Sequence, residues 1–157
     1  MAYVNADGLE ILAAGDAGTA AKRGTSLSSQ KKALVMTITG TEVPSSVDTP
    51  QDHDAFIPAG SYITGAHLIV TTAFTSSGSA TLTIGTYQQD GTVVDADSID
   101  ATVALAALAA NKAVACDGAA VGGTATVGAN DVYVEAIYGT AAFTAGEAKL
   151  VIEYIEP

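Results

Sequence analysis

The sequence lacks several features on which common function classes depend. It has no tryptophan and only nine aromatic residues, so it is poor in the large rings that serve as binding platforms. Its single cysteine, Cys116, excludes an intramolecular disulfide, and we expect a small buried residue there. No apolar run is long enough to span a bilayer. The first apolar cluster, residues 11–14, follows acidic residues and is too short for a signal peptide. These absences predict a soluble protein that is made in a cytoplasm.

Basic residues are also scarce and are unevenly distributed. The chain has six basic and 17 acidic residues and a net charge of −11, which disfavours nucleic acid and anionic membranes as partners. Residues 1–32 carry four of the basic residues and a net charge of +1, whereas residues 33–157 carry a net charge of −12. Because residues 1–32 also lack a sustained apolar period, we predict an extended N-terminal arm over residues 1–32 and a folded domain over residues 33–157.

Catalytic motifs are missing. The sequence has two histidines, one cysteine and no GxSxG motif, so few residues are available to form a nucleophilic triad. There is no Walker loop and no dinucleotide fingerprint. His67 lies among apolar neighbours in a predicted strand, which favours a sheet-surface histidine over a catalytic base. A hydrolase that uses two carboxylates stays open because carboxylates are numerous, but nothing singles out a pair. The lack of a nucleophile-base pairing therefore counts against an enzyme.

Two acidic clusters are candidates for metal sites. Asp95, Asp97 and Asp100 resemble part of a calcium loop, but the central glycine and the distant glutamate of such a loop are missing. The interpretation that we favour is a turn followed by a helix cap. The second cluster, residues 52–54, reads Asp-His-Asp, and adjacent residues of an extended chain point to opposite sides. We therefore predict no metal.

Residues 57–85 hold two runs in which apolar and polar residues alternate, as in β-strands. In the first run, one face carries Ala66, Leu68, Val70, Thr72 and Phe74. In the second run, Leu82 and Ile84 alternate with threonines. The serine- and glycine-rich residues 76–79 between the runs are typical of a hairpin loop. We therefore expect a central antiparallel hairpin.

Further elements follow the same patterns. Residues 33–39 form an earlier strand, and residues 132–138 and 148–155 alternate like a last hairpin with one apolar face. Residues 98–110 carry an apolar stripe at helical spacing and predict one short helix. About eight strands separated by regular turn signals favour an all-β fold, an antiparallel β-sandwich or jelly roll with one short helix and the extended N-terminal arm.

A combined pattern is formed by the stretches IPAGSYITGAHLIVTTAF, ATLTIGTYQQDGTVVDADSIDA, VACDGAAVGG and YGTAAFTAGEAKLVIEYIEP, and by the opening MAYVNADGLEIL. In this pattern the chain resembles a family of small virion proteins of tailed bacteriophages, the head-decoration or capsid-cement proteins. The resemblance covers roughly residues 33–157 and the N-terminus. It implies a β-sandwich, commonly trimeric, that clamps the outside of a capsid shell, with the major capsid protein as partner, no enzyme and no cofactor.

A capsid contact is expected from the arm. Its apolar and basic side chains would meet the shell or a neighbouring copy. The predicted contact residues are Tyr3, Val4, Leu9, Ile11, Leu12, Lys22, Arg23, Lys31 and Lys32. The alternative is a glycan- or host-binding module of a phage fibre or baseplate, for which Tyr62, Tyr87, Tyr133 and Tyr138 are the available rings.

Overall fold

A computed structural model of the chain describes residues 2–4, 10–12, 31–47, 56–122 and 124–156, with only the backbone described for residues 2–4 and 10–12. The ten described strands are β1 Ala2–Val4, β2 Glu10–Leu12, β3 Lys31–Thr39, β4 Phe56–Ile57, β5 Tyr62–Ser76, β6 Thr81–Tyr87, β7 Val93–Ala104, β8 Ala113–Ala115, β9 Val132–Gly139 and β10 Phe143–Ile155. Two 3-10 turns lie at Gly40–Glu42 and Leu105–Ala107. Within these ranges there is no α-helix and no helix suited to crossing a membrane.

Two four-stranded sheets form the body of the molecule. The first sheet has the strand order β3-β10-β5-β8, and the second sheet has the order β4-β9-β6-β7. All their neighbouring strands are antiparallel. β1 and β2 form a separate two-stranded sheet. The predicted all-β antiparallel sandwich is therefore confirmed.

The core lies between the two sheets and is built from every second residue of the long strands. In the first sheet, Leu68 and Leu150 are fully buried, and in the second sheet Leu82 and Ile84 are fully buried. This is the period of two that the sequence predicts for a sheet with one packed face. The T-shaped pair of Phe74 and Phe143, with ring centroids 5.1 Å apart, fills one end of the core.

The two predicted hairpins are wrong in their pairing. β5 belongs to the first sheet and β6 to the second, and β9 and β10 are divided in the same way. Each connection therefore crosses from one sheet to the other. The two crossings lie together, because the hydroxyl of Ser76 donates to the carbonyl of Ala142 at 2.8 Å. Alternation specifies which residues face the core. It does not specify which strands pair, because strands of both sheets show the same alternation.

The helix predicted over residues 98–110 is also wrong. β7 runs to Ala104, and only Leu105–Ala107 is helical, as one 3-10 turn. In β7, Val103 pairs with Leu82 of β6 and is buried with it. Alanine favours a helix by less than about 1 kcal/mol per residue over the β-branched residues. The cross-strand packing of Ile99 and Val103 against the core outweighs that preference.

One side of the sandwich is closed by the chain that follows β8. The amide of Cys116 donates to the carbonyl of Ala66 in β5, and the amide of Gly118 donates to the carbonyl of Ile99 in β7. This segment therefore bonds to the edge of both sheets. Turns at residues 119–122 follow, and the amide of Ala120 donates to the carbonyl of Ser98 in β7.

Candidate functional site

The predicted contact residues of the arm are only partly described. The backbones of Tyr3 and Val4 lie in β1 and those of Ile11 and Leu12 in β2, with Tyr3 opposite Ile11. Their side chains lie outside the described residues, as do three further residues of the predicted set: Leu9, Lys22 and Arg23. Their contact with a shell therefore stays a prediction.

Lys31 and Lys32 are the two predicted contact residues whose side chains are described. Both lie at the start of β3, so the last two residues of the predicted arm belong to the first sheet. Nζ of Lys31 lies 2.6 Å from Oε2 of Glu153, and Nζ of Lys32 lies 2.6 Å from Oε2 of Glu156. The hydrogen bond to Glu156 raises the pKa of Lys32. These lysines thus connect β3 to β10 and its C-terminal end.

The outer face of the first sheet carries apolar side chains in the open. Val35 is 56% exposed and lies opposite Val151, which is half-buried. Ile69 is 44% exposed and lies opposite Ala113 of the edge strand β8. We call these four residues, together with Ala115 beside His67, the apolar face: Val35, Ile69, Ala113, Ala115 and Val151. An apolar area on an open sheet marks an interaction surface when its members are contiguous.

The members of the apolar face lie in two adjacent rows across the sheet, and the polar residues His67 and Lys149 lie within these rows. In one row, Val35 lies opposite Val151, which lies opposite His67. In the next row, Lys149 lies opposite Ile69. Lys149 is exposed and has no ion-pair partner among the residues that the structure describes.

The outer side of the second sheet differs in charge and in backbone geometry. β6 advances from Ile84 to Thr86 while β7 advances from Asp100 back to Asp95, so β7 carries a large bulge. The carbonyl of Ala96 in this bulge comes so close to Gly85 that an added Cβ would overlap it. The backbone of the bulge in β7 therefore covers β6 at Gly85.

Carboxylates accompany the bulge. Burial raises the pKa of Asp95, and burial together with Asp117 raises the pKa of Asp100. The amide of Thr102 donates to Oδ1 of Asp100 at 3.0 Å. Asp95, Asp97 and Asp100 thus lie along a bulged strand and do not form the predicted turn and helix cap. In the described part of the chain, no group of three or more histidine, cysteine or acidic residues is placed to hold a metal. The Asp-His-Asp cluster at residues 52–54 lies outside the described residues.

Two other candidates for chemistry have ordinary structural surroundings. Cys116 is buried as predicted, and its burial raises the pKa of the thiol to about 12. Such a thiol is protonated at neutral pH and is a poor nucleophile. His67 is an exposed residue on the outer face of the first sheet, as predicted, with Val151 and Ala115 as its cross-strand neighbours.

The four tyrosines of the glycan-binding alternative are not assembled into an exposed platform. Tyr87 is fully buried and Tyr133 is 8% exposed. Tyr62 is exposed but belongs to the first sheet, whereas Tyr138 belongs to the second sheet. The exposed ring of Phe56 packs against Tyr133 with centroids 5.9 Å apart. The single exposed ring of Phe56 beside the buried Tyr133 offers little area for stacking against a sugar.

The apolar face was missed at the sequence level, although a signal for it exists. In β3, β5 and β10, apolar residues occupy neighbouring positions that point to opposite faces of the sheet, for example Leu34 beside Val35, Leu68 beside Ile69 and Leu150 beside Val151. A strand that is apolar on both faces is typical of a sheet that is covered on both sides.

Comparisons with known proteins identify similar folds. No protein-family model matches the chain, and no curated protein matches it. A chain in the capsid of Ralstonia phage GP4 is similar with a TM-score of 0.57 and 15% identity, over 84% of this chain and 88% of that one. A chain in the capsid asymmetric unit of cyanophage Pam1 is similar with a TM-score of 0.57 and 16% identity, over 93% of this chain and 100% of that one. At these identities the likeness establishes a shared fold, and it extends over nearly the whole of each chain.

Proposed function

We propose that this chain is a structural virion protein that decorates and cements a bacteriophage capsid shell. It binds the outer surface as a homotrimer, with the major capsid protein as partner. The observation that carries the proposal is the fold, which chains from two phage capsid structures share over 84% and 93% of this chain. The sequence resemblance to capsid-cement proteins supports the same role independently of the fold.

The physical properties of the body fit this role. A protein present in many copies on one particle must not bind other particles, and a net charge of −11 opposes such association. A trimer would add buried area to a small domain, which on its own buries only about two-thirds of its unfolded surface. A cementing role requires a folded body with a contact surface, and it does not require a reactive centre.

The arm is proposed to contribute a second contact. Its apolar residues, including Tyr3 and Ile11, would bury area on the shell or on a neighbouring copy, at about 25 cal/mol per Å². The basic residues Lys22 and Arg23 would pair with carboxylates and contribute less, roughly 0–1 kcal/mol each at an exposed site.

Co-sedimentation with shells that lack the protein tests the proposal. Purified protein is mixed with undecorated shells of the phage that encodes it, and bound protein is quantified across a concentration series. We expect saturation at a fixed stoichiometry per capsid subunit, and a trimer by light scattering. Absence of saturable binding contradicts the proposed function, and a monomer both free and on shells contradicts the trimer.

The contribution of the arm is tested by deleting residues 1–30, which leaves β3 complete. We expect the β-sheet circular dichroism signal to persist and shell binding to weaken strongly. Replacing Lys22 and Arg23 by serine in the full chain should weaken binding less, and mainly at low salt. A deletion variant that binds as tightly as the full chain contradicts the proposed role of the arm.

A further inference from the structure

Residues 116–122, which follow β8, connect the edges of the two sheets, and we call them the strap. The amides of Cys116 and Gly122 donate to carbonyls of β5 in the first sheet, at 3.0 and 3.1 Å. Between them, the amides of Gly118 and Ala120 donate to carbonyls of β7 in the second sheet, both at 2.9 Å. An added Cβ at Gly118 would overlap the carbonyl of Ser98, so the strap lies directly against β7. The strap therefore joins the two sheets by main-chain hydrogen bonds.

Where the strap lies, β7 is buried on both of its faces. Ser98, Ile99 and Asp100 are 1%, 0% and 5% exposed, although β7 is an edge strand of the second sheet. Neighbouring residues of a strand point to opposite faces, so a strand that is packed on one face only would expose every second residue. The next two residues, Ala101 and Thr102, are exposed again. The cover over Asp100 is therefore local, and it coincides with the hydrogen bonds of the strap.

The surroundings of Asp100 do not compensate a buried charge. Its described hydrogen bond comes from the amide of Thr102 at 3.0 Å, and β6, β7 and the strap contain no basic residue. The titratable groups of the strap are Asp117, whose charge acts on Asp100, and the thiol of Cys116, on which both carboxylates act. An ionised carboxylate that is buried beside a second carboxylate, with no cation, is strongly unfavourable.

The other titratable groups of the neighbouring strands do not change this balance. In the second sheet, Asp95, Asp97 and Glu135 act on Tyr87, at the Asp95 end of the β7 bulge. In the first sheet, the titratable residues of β5 are Tyr62 and His67, and both are exposed on the outer face. Within the described residues, no ion pair involves Asp100.

From this arrangement we infer that the strap is a pH-sensitive fastening between the two sheets: it stays closed over Asp100 while this carboxyl group is protonated, and it opens more often when the group is ionised. Opening admits water to the carboxylate and moves Asp117 away from it. The strap is the part that yields, because β7 is held by its pairing with β6 and by Ile99 and Val103 in the core. The inference concerns the folded body and does not depend on the proposed function.

The pKa of Asp100 has the direction that this behaviour requires. Burial raises it above its ordinary value of 3.8, the hydrogen bond from Thr102 opposes this change, and the charge of Asp117 raises it further. Because the closed form holds the proton more tightly, protonation favours closure. This contribution is fully present below about pH 4 and is lost as the pH rises through the raised pKa.

Hydrogen exchange of single amides, followed by NMR from pH 4 to pH 8, tests the inference on the full chain. The rate of an unfolded amide at the same pH is divided by each measured rate, which gives a protection factor. We expect protection at Gly118 and Ala120 to fall at least about fivefold over this range, since one unit of pKa shift corresponds to a tenfold change in an equilibrium constant. The control amide is that of Asn111, which donates to the carbonyl of Val70 in β5 at 2.9 Å. Its protection should change less than about twofold.

Two variants identify the group that is responsible. Asp100→Asn removes the charge and keeps an oxygen acceptor, so protection of the strap should change less than about twofold between pH 4 and pH 8. Asp117→Asn removes the neighbouring charge and should reduce the fall without abolishing it. Asp117 is exposed, so this variant carries the comparison if Asp100→Asn fails to fold. Asp90→Asn, in an exposed turn, is the control and should behave like the unmodified chain.

Three results would overturn the inference. Protection in the strap that equals the protection of the β10 amides at every pH would show that the strap opens only when the whole protein unfolds. Protection in the strap that does not change with pH in the unmodified chain would show that the fastening is not pH-sensitive. A fall in Asp100→Asn as large as in the unmodified chain would assign the effect to another group.

Discussion

The two sheets of the sandwich are alike on the inside and different on the outside. Their inner faces bury the same kinds of side chain, with Leu150 in the first sheet and Leu82 in the second both fully buried. Their outer faces diverge. The strands of the first sheet carry three lysines and two glutamates, whereas those of the second sheet carry four carboxylates and no basic residue. The second sheet also has a large bulge in β7, and the register shifts between β10 and β5 of the first sheet are smaller. The inner faces therefore account for the fold, and the outer faces are where the two sheets can act differently.

The largest expected effect tests whether the two inner faces are equivalent. Leu150→Ala in β10 and Leu82→Ala in β6 each remove a fully buried side chain from an inner strand of a sheet. Each should lower the free energy of unfolding by about 2–5 kcal/mol, through lost burial and the cavity that remains. Urea unfolding followed by circular dichroism measures both losses. A loss below about 1 kcal/mol at either site would mean that this sheet does not share the core.

The next effect concerns the large bulge in β7 of the second sheet. At Gly85 an added methyl group would overlap the carbonyl of Ala96, which is backbone and cannot rotate away. Gly85→Ala should therefore lower the free energy of unfolding by about 1–3 kcal/mol.

The matched control for the bulge lies in the first sheet. At Gly65 an added Cβ would have Oε2 of Glu153 as its nearest neighbour, at 3.6 Å, which is ordinary contact. Gly65→Ala should leave stability unchanged or raise it slightly, because glycine weakens a strand interior. Equal losses at Gly85 and Gly65 in urea unfolding would show that the bulge does not approach β6 as closely as described.

Sequence reasoning recovered what depends on alternation alone. Of the face predicted for β5, Ala66, Leu68, Val70 and Phe74 are buried and Thr72 is exposed, since burial of every second residue is a local property of a strand. Asp90 and Gly91 are typical turn residues, and they join β6 to β7 as a hairpin. Both signals are contained within a few residues of the chain.

The errors concern properties that are not local. Whether β5 pairs with β6 or with β10 depends on where the chain crosses between sheets, and the loop at residues 77–80 has the same composition in either case. The helix was predicted wrongly because its alanine-rich pattern is ambiguous until Val103 is seen to pair with Leu82. The ion pair of Lys31 with Glu153 is likewise not visible in the charge or the missing apolar period of residues 1–32, and the contact of Lys31 with a shell stays a prediction.

The acidity of the second sheet should appear in the pH dependence of stability. Burial raises the pKa of Asp100 above its ordinary value of 3.8. The folded protein therefore holds this proton more tightly than the unfolded chain does, so the contribution is stabilising below about pH 4 and is lost as the pH rises through the raised pKa. Asp100→Asn, which keeps an oxygen acceptor for the Thr102 amide, should raise stability at pH 7 relative to the unmodified chain.

Urea unfolding of both proteins at pH 3 and pH 7 measures this effect. The difference between Asp100→Asn and the unmodified chain should be small at pH 3 and should favour the variant at pH 7. Asp90→Asn is the control, because hydrogen bonds from Thr92 lower the pKa of Asp90 and its contribution has the opposite sign. If Asp100→Asn destabilises the protein at pH 7 by as much as at pH 3, the carboxylate is not a source of pH dependence.

The smallest effect concerns the ion pairs at the edge of the first sheet. Lys31 and Glu153 are 53% and 42% exposed, so solvent and salt screen their attraction. Lys31→Ser with Lys32→Ser should lower the stability only slightly at low salt, less at 0.5 M salt, and should leave the fold intact. If the lysines act only through Glu153 and Glu156, adding Glu153→Ser and Glu156→Ser should not lower the stability further. Shell binding by both variants should then equal that of the unmodified chain. A marked loss of shell binding without a change in stability would support the prediction from the sequence that both lysines contact the shell.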